Sequence, residues 1–256
     1  MIPITIRFAA AAAVALMLVP GRPALAQEFS PTQKNEIETI IRDYIVSHPE
    51  VLQEAIAELD KRQAAADTEK AKATIASNAE TLFNSSRQVV LGNPKGDVTL
   101  VEFFDYNCGF CKRALPDMIE LLKDDAKLKV VLKEFPVLGP GSVEAAKVAV
   151  AVRMQDKTGK KYLDFHQKLL GGRGQADKAR ALAVAKEVGL DIAQIEKDVT
   201  SDEVKATIEE NFKLAKALGI SGTPSYIIAT DVVMGAVGLN TLKAKVNSAR
   251  CGKAMC

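Results

Sequence analysis

The 256-residue chain contains only four cysteines and two histidines, and it has almost no excess of charge of either sign. Four cysteines are too few to staple a small disulfide scaffold, and the length is ample for a hydrophobic core. The near balance of 34 basic and 32 acidic residues gives no indication of binding to nucleic acid or to a membrane surface. The cysteines are therefore expected to act locally.

Long apolar runs are also absent, except at the N-terminus. Arg7 precedes an apolar segment over residues 8–19, and residues 24–26 have the A-x-A form of a cleavage site. We predict a cleaved secretory signal over residues 1–26 and a mature chain beginning at Gln27. Neither this run nor any later one is long and uncharged enough to span a bilayer, so the pattern predicts no membrane insertion. Export implies an oxidising compartment.

Residues 27–84 have the pattern of a helical stalk. A capping box starts at Ser30, and a break over residues 47–50 separates two helices. The stretch from Lys61 to Glu80 is rich in alanine and charge, which is typical of a solvated helix. An apolar stripe suggests that the first helices associate with other copies, although it could instead dock onto the rest of its own chain; it contains Ile37, Ile40, Ile41, Tyr44, Leu52, Ile56 and Leu59.

Residues 85–256 have the pattern of an α/β domain. Apolar runs over residues 98–104 and 128–134 flank a helical segment, which is the strand-helix-strand unit of a parallel sheet. Helical periodicity continues over about residues 142–218, and a strand pair and a last helix follow. We therefore predict a sheet domain with an inserted helical domain, preceded by the N-terminal helical stalk.

Two cysteines, Cys108 and Cys111, lie where the strand over residues 98–104 meets the following helix. The first amides of a helix are unpaired, and the helix dipole adds partial positive charge there, so a thiolate is stabilised. The second cysteine lies on the same helical face, close enough to form a disulfide with the first. A reversible redox pair is the main interpretation; a structural disulfide, or half of a zinc site with Cys251 and Cys256, is the alternative.

A second element is the dipeptide Thr223-Pro224, which precedes the next predicted strand. Proline in such a turn can be cis, although an ordinary trans turn is the alternative. Together with residues 98–112, this dipeptide resembles the DsbA-like family of thioredoxin-fold thiol-disulfide oxidoreductases. The resemblance implies that a cis-proline loop lies against the cysteine pair and that the backbone of Thr223 binds substrate.

The cysteine chemistry gives each side chain an expected role. Cys108 is the more exposed and acts as the nucleophile, whereas Cys111 resolves the mixed disulfide. The family implies that Glu102 shuttles the proton of Cys111, although Glu102 could instead be a buried acid paired with Lys133. No cofactor and no metal are expected.

The last two cysteines, Cys251 and Cys256, are separated by only four residues at the end of the chain. This spacing favours a local structural disulfide. A second redox relay and an intermolecular link are the alternatives. The pair is not part of the resemblance to the DsbA-like family.

The region around residues 44–59 is similar to the oligomerising stalk of the family of suppressor-of-copper-sensitivity protein C, periplasmic thiol-disulfide isomerases. This similarity implies a homo-oligomer, with a trimer favoured, and localisation to the periplasm. Gly109 and Phe110 between the cysteines resemble the Gly-Tyr of isomerases rather than the Pro-His of the strong oxidant in the family, and they border the substrate site.

The combined expectation is a periplasmic disulfide isomerase or reductase. It would act on exported client proteins and be reset by a membrane redox partner. The alternatives are a DsbA-like dithiol oxidase and, from another class, a holdase or copper-binding module, since thiolates suit cuprous copper.

Overall fold

The computed structural model of the chain describes residues 29–156 and 158–256. The predicted signal over residues 1–26 lies outside these residues. The chain divides into two compact units, one ending at Leu59 and the other extending from Asp60 to Cys256. None of the helices within the described ranges combines the length and the hydropathy needed to cross a bilayer.

The first unit is helical. Helix α1 covers Pro31–Ser47, and its capping box is formed by Ser30 and Gln33, whose side chains each accept a hydrogen bond from the other's backbone N–H. Helix α2, Glu50–Ser77, begins after the break at His48. No residue between 29 and 59 is buried, and the apolar stripe predicted from the sequence is exposed. An exposed apolar stripe of this kind is typical of an interaction surface.

The second unit is built on a five-stranded sheet. Its strands are β1 (Val89–Gly92), β2 (Val98–Phe104), β3 (Leu128–Glu134), β4 (Ser225–Ile228) and β5 (Asp231–Met234). The spatial order is β1-β3-β2-β4-β5, in which only β2 and β3 are parallel. The central strands β2 and β3 are each buried at every position but one, as expected for strands covered on both faces.

The helices fill the remainder of this unit. Five of them, α5 to α9, lie between β3 and β4, so the predicted α/β fold with a helical insertion is confirmed. The bounds are α3 Ala79–Phe83, α4 Gly109–Asp124, α5 Pro140–Gln155, α6 Lys160–Gly171, α7 Lys178–Glu187, α8 Ile192–Asp198, α9 Asp202–Ala217 and α10 Leu239–Cys251.

The two faces of the sheet carry different helices. Side chains alternate along β2, so Leu100 and Phe104 belong to one core and Val101 and Phe103 to the other. The front face packs against α4, α10 and the helices of the insertion. The back face packs against the end of α2, α3 and the last part of α9. The cysteine pair belongs to the front core.

The observed boundary between the units differs from the one expected near residue 84. Ile75 in α2 is 3 % exposed and Leu82 in α3 is fully buried, and both belong to the back core with Phe103. Residues 60–84 contain few large apolar side chains. Two of them, Ile75 and Leu82, nevertheless pack against the back face of the sheet, which the alanine-rich pattern does not reveal. Residues 60–84 therefore form part of the sheet unit.

Candidate functional site

Cys108 is the N-cap of α4, in the turn that joins β2 to this helix. Its Sγ accepts a hydrogen bond from the N–H of Cys111 at 3.3 Å, and its own N–H donates to the carbonyl of Asp105 at 3.0 Å. Both cysteines are free thiols; Cys108 is 4 % exposed and Cys111 is fully buried. Cys108 is thus the more exposed of the two, as the sequence predicts. Its sulfur caps one of the unpaired amides at the start of the helix.

The loop before β4 lies directly against Cys108. Strand β4 runs antiparallel to β2 and pairs Ser225 with Phe103, so the residues before β4 reach the end of β2. The Thr223–Pro224 peptide bond is cis, and the Thr223 carbonyl accepts a hydrogen bond from Cys108 Sγ at 3.1 Å. The structure therefore brings together the two elements that were identified separately in the sequence.

Glu102 lies in the middle of β2 on the front face, opposite Leu132 on β3 and Tyr226 on β4. The side chain is 4 % exposed, and burial raises its pKa from 4.5 to about 8. Within residues 29–156 and 158–256 its carboxyl group has neither a hydrogen bond nor an ion pair with another residue. This carboxyl group can therefore gain or lose a proton near neutral pH.

The alternative that pairs Glu102 with Lys133 is wrong. Lys133 lies between Val131 and Phe135 and so points to the back face. Its Nζ donates to the carbonyl of Thr81 at 2.8 Å and lies 3.8 Å from Glu210. The alternation of side chains along the strands places the lysine and Glu102 on opposite sides of the sheet.

The second thiol is held in its protonated form. Burial raises the pKa of Cys111 well above its ordinary value, whereas a hydrogen bond with the Asp105 backbone lowers it. The neighbouring Cys108 and the charge of Glu102 raise it further. Cys111 therefore needs a proton acceptor before it can attack, and Glu102 is close enough to affect its charge.

Asp105 organises the turn before the cysteines, a role that the sequence did not reveal. The side chain is 1 % exposed, and its carboxylate accepts hydrogen bonds from Asn107 N, Val137 N, Leu138 N and Ser142 Oγ, at 2.7–3.0 Å. The bond from Asn107 N–H to the Asp105 side chain is an Asx turn, a local pattern that an aspartate favours. The other partners lie more than 30 residues away in sequence, where no local pattern identifies them.

Asn107 continues the same network into the inserted helices. Its amide donates to Ser142 Oγ at 2.9 Å and to the Ala176 carbonyl at 2.8 Å, and it accepts from Ala176 N–H at 2.8 Å. The residue next to Cys108 is therefore hydrogen-bonded to two segments of the insertion. The inserted helices fix the position of the turn.

The surface beside the pair is apolar and open. Phe110 is 58 % exposed, with the Arg113 guanidinium 4.2 Å from its ring centre. A Cβ at Gly109 would meet no atom within 4 Å, so the space beside this residue is open. Val137 and Leu138, which follow β3, are also exposed. Exposed apolar side chains therefore lie on the segments that follow β2 and β3, which the Asp105 carboxylate joins.

Cys251 and Cys256 form a disulfide with a Cα–Cα distance of 6.2 Å. Arg250, beside Cys251, binds Asp97 just before β2 and Asp125 just after α4. Cys108 follows β2 and caps the start of α4, so the two cysteine pairs lie at opposite ends of these elements. Strand β2 has seven residues, so the pairs are roughly 20 Å apart.

This separation excludes two of the alternatives. The pairs cannot share a zinc ion, and they cannot exchange electrons within one chain. In the part of the chain that the structure describes, no three His, Cys, Asp or Glu side chains converge on a metal site.

Comparison with known proteins gives a consistent result for both regions. Residues 99–247 match the DSBA-like thioredoxin domain, and residues 33–66 match the N-terminal domain of the copper resistance protein ScsC. A thioredoxin-like oxidoreductase from Silicibacter pomeroyi is 43 % identical; the alignment covers 68 % of this chain and 98 % of that one, with a TM-score of 0.64. ScsC from Proteus mirabilis, in a transitional conformation, is 29 % identical, with coverages of 88 % and 98 % and a TM-score of 0.64.

A Na⁺/H⁺ antiporter, NhaA 1 from Salinispora arenicola, is 28 % identical over 168 residues, which is 65 % of this chain. The chain spans only about a quarter of the antiporter's length (25 %). The similarity therefore carries no transport activity to this chain. The family match covers more than half of the chain and includes both cysteines and the cis-proline loop. The chain belongs to the DsbA-like thioredoxin domain family of thiol-disulfide oxidoreductases.

Proposed function

We propose that the chain is a periplasmic oxidoreductase that reduces or reshuffles disulfides in exported client proteins, with Cys108 as nucleophile. The main support is the position of Cys108 Sγ, 3.3 Å from the Cys111 N–H and 3.1 Å from the Thr223 carbonyl. The sulfur lies between a helical amide that stabilises a thiolate and the loop on which a client backbone would bind. The secretory signal predicted from residues 1–26 supports the compartment.

The first step is attack of the Cys108 thiolate on one sulfur of a client disulfide. The client S–S bond breaks, a Cys108–client disulfide forms, and the other client sulfur leaves as a thiolate that takes up a proton. In isomerisation, another client thiolate attacks the client sulfur of this mixed disulfide. A new client disulfide then forms and Cys108 is released, with no net transfer of electrons.

In reduction, Cys111 resolves the intermediate. It loses its proton and attacks Cys108 Sγ, so the client leaves as a dithiol and two electrons pass to it from the cysteine pair. We assign Glu102 as the proton acceptor, because it is buried near Cys111 and its pKa is about 8. The resulting Cys108–Cys111 disulfide must then be reduced by another thiol system, for which we propose a membrane redox partner.

The surroundings of Cys108 fit a peptide substrate. We assign the Thr223 backbone and Pro224 as the edge that binds the client chain, with Gly109 leaving the approach open. Phe110 offers an exposed aromatic surface to apolar residues next to the client cysteine. A partly unfolded client exposes such residues.

The N-terminal helices support assembly into a homo-oligomer. The exposed apolar stripe lies in the region that matches the N-terminal domain of ScsC. We propose that the stripes of several copies pack together, with a trimer as the favoured state. Several copies of the redox site would then surround one client.

The test compares isomerase with oxidase activity in full-length mature variants. Ile40→Glu and Ile56→Glu place charges on the stripe, and Val46→Glu is the control, since Val46 is exposed on another side of α1. We expect the stripe variants to become monomeric and to lose refolding of a scrambled-disulfide protein, while they still oxidise a dithiol peptide. Unchanged isomerisation by a monomeric variant would contradict the role of assembly.

The same two assays on the wild-type chain distinguish the remaining candidate functions. A dithiol oxidase would oxidise reduced clients and fail on scrambled ones. A copper-binding or holdase module would produce no turnover in either assay, and its Cu(I) binding would persist in part in Cys108→Ser. The proposal requires turnover on the scrambled substrate that depends entirely on Cys108.

A further inference from the structure

A small cavity lies beside the front face of the sheet, at the C-terminal end of β3. About 10 Å³ of it is open to the centre of a water molecule, which is close to the minimum that one buried water needs. The residues that line it come from the start of β1, from β3 and from three inserted helices, and they include Arg87, Val89, Glu134, Arg153, Tyr162 and Asn211.

Three polar atoms of these residues are buried without a protein partner. They are Glu134 Oε2, Arg153 Nε and Asn211 Oδ1, and their side chains belong to residues that are at most 7 % exposed. A buried polar atom without a hydrogen bond is destabilising, so three at one cavity indicate a ligand that pairs with all of them. Of these three atoms, Arg153 Nε carries a hydrogen and is a donor, whereas Asn211 Oδ1 and an ionised Glu134 Oε2 are acceptors.

The same glutamate is the start of a hydrogen-bonded chain to the active-site turn. Tyr162 donates to Glu134 Oε1 at 2.6 Å, and the Tyr162 and Tyr106 hydroxyl groups are 3.3 Å apart. The Tyr106 hydroxyl also lies 3.3 Å from His166 Nδ1. Tyr106 occupies the turn between the end of β2 and Cys108, so the chain connects the cavity to the residues that position the nucleophile.

We propose that one water molecule binds in this cavity, bridging Glu134 Oε2, Arg153 Nε and Asn211 Oδ1, and that Glu134 acts through Tyr162 and Tyr106 as a positioning residue for the Cys108 turn. The Arg153 N–H donates to the water, which donates in turn to the Asn211 oxygen. The Glu134 oxygen forms the third bond, and three bonds are usual for a buried water.

The remaining contacts of these residues hold the site in place. Arg153 also donates to the Ser86 carbonyl and to Glu203, and the Asn211 amide donates to the Glu134 backbone carbonyl at 3.0 Å. Burial raises the pKa of Glu134, so the carboxyl group can retain a proton on Oε2 and still bind the water. Both protonation states therefore fit one water.

The water is tested by a crystal structure of the full mature chain at a resolution that shows ordered solvent, with Asn211→Leu as a comparison. We expect a water within hydrogen-bonding distance of all three atoms in the wild type, and none when leucine occupies the cavity. An empty wild-type cavity would overturn the water site.

The positioning role is tested by the equilibrium of the Cys108–Cys111 pair with reduced and oxidised glutathione. We compare Glu134→Leu, Tyr162→Phe and Glu134→Gln, with Lys133→Met as a control that removes a buried polar group on the opposite face of the same strand. Tyr162→Phe removes a single hydroxyl group and keeps the proposal testable if Glu134→Leu does not fold.

We expect Glu134→Leu and Tyr162→Phe to shift the equilibrium several-fold toward the disulfide, since a looser turn weakens the bond from Cys111 N–H that stabilises the reduced pair. Glu134→Gln, which retains an acceptor for Tyr162, should resemble the wild type, as should Lys133→Met. Equal constants in all four variants would overturn the positioning role. This equilibrium does not depend on client proteins, so its failure is distinguishable from failure of the proposed isomerase function.

Discussion

The two cysteine pairs of this chain show how much the surroundings determine what a thiol does. Cys108 and Cys111 lie at the N-terminus of α4, buried and beside the cis-proline loop. Cys251 ends α10, and Cys256 lies in the exposed tail beyond it. A helix N-terminus stabilises a thiolate and a C-terminus does not. The first pair is therefore suited to exchange and the second to a lasting local link.

The largest expected effect comes from removing the nucleophile. Cys108→Ser should abolish all turnover on disulfide and dithiol substrates, because it removes the sulfur that contacts the Thr223 carbonyl and leaves the buried Cys111 without a partner for a disulfide. The matched control is the double variant Cys251→Ser with Cys256→Ser, which should retain nearly full activity in the same assays. Strong loss of activity in that control would remove the distinction between the two pairs.

The second prediction concerns the turn that precedes Cys108 and is held by Asp105; no such turn precedes Cys251 in α10. Asp105→Ala leaves three backbone N–H groups and the buried Ser142 hydroxyl group without their acceptor, and we expect a loss of about 3–5 kcal/mol in the free energy of unfolding. Asp105→Asn retains one acceptor oxygen and should lose less. Urea denaturation of the reduced proteins measures both. Equal stability of the wild type and Asp105→Ala would show that the network does not anchor the turn.

The third prediction uses pH. The pKa of Glu102 is raised from 4.5 to about 8, so its stabilising contribution is present below about pH 4.5 and is lost as pH rises through 8. Between pH 5 and pH 8 the wild type should lose about 3 kcal/mol more stability than Glu102→Gln, whose side chain does not titrate. Denaturation curves at several pH values measure this.

The control for the pH prediction is Glu120→Gln, an exposed carboxyl group on α4. It should have the pH profile of the wild type. If Glu102→Gln also retains that profile, Glu102 is ionised throughout this range and cannot accept the proton of Cys111.

The smallest effect is expected at the C-terminal disulfide. It closes a loop of only a few residues, so its loss should cost at most about 2 kcal/mol and should affect mainly the end of α10. Hydrogen exchange of the wild type and the double serine variant measures which amides lose protection. Loss of protection throughout the sheet would show that this link supports the whole domain.

Local patterns in the sequence were sufficient to identify the elements of the site. The strand-to-helix junction placed Cys108 and Cys111, and a turn before a strand placed Pro224. What these patterns cannot show is register. Whether Glu102 and Lys133 share a face depends on how β2 pairs with β3, and this pairing puts them on opposite faces.

Contacts between segments that are far apart in the chain could not be predicted from the sequence either. Asp105 accepts a hydrogen bond from Ser142, at the start of the insertion. Ile75 and Leu82 pack on the back face of the sheet, although their segment has the sequence pattern of a solvated helix. In each case one or two side chains provide the contact, which is too few to produce a periodic pattern. The boundary of the stalk was therefore placed too far along the chain.

The most direct test of the central claim is to trap the intermediate. Cys111→Ser should accumulate client proteins bound through a disulfide to Cys108, because the thiol that resolves the complex is missing. Mass spectrometry of peptides from cells that export this variant should identify Cys108 as the linked residue, with Cys251 and Cys256 still joined to each other. Absence of Cys108 adducts, or adducts at the C-terminal cysteines instead, would contradict the proposed mechanism.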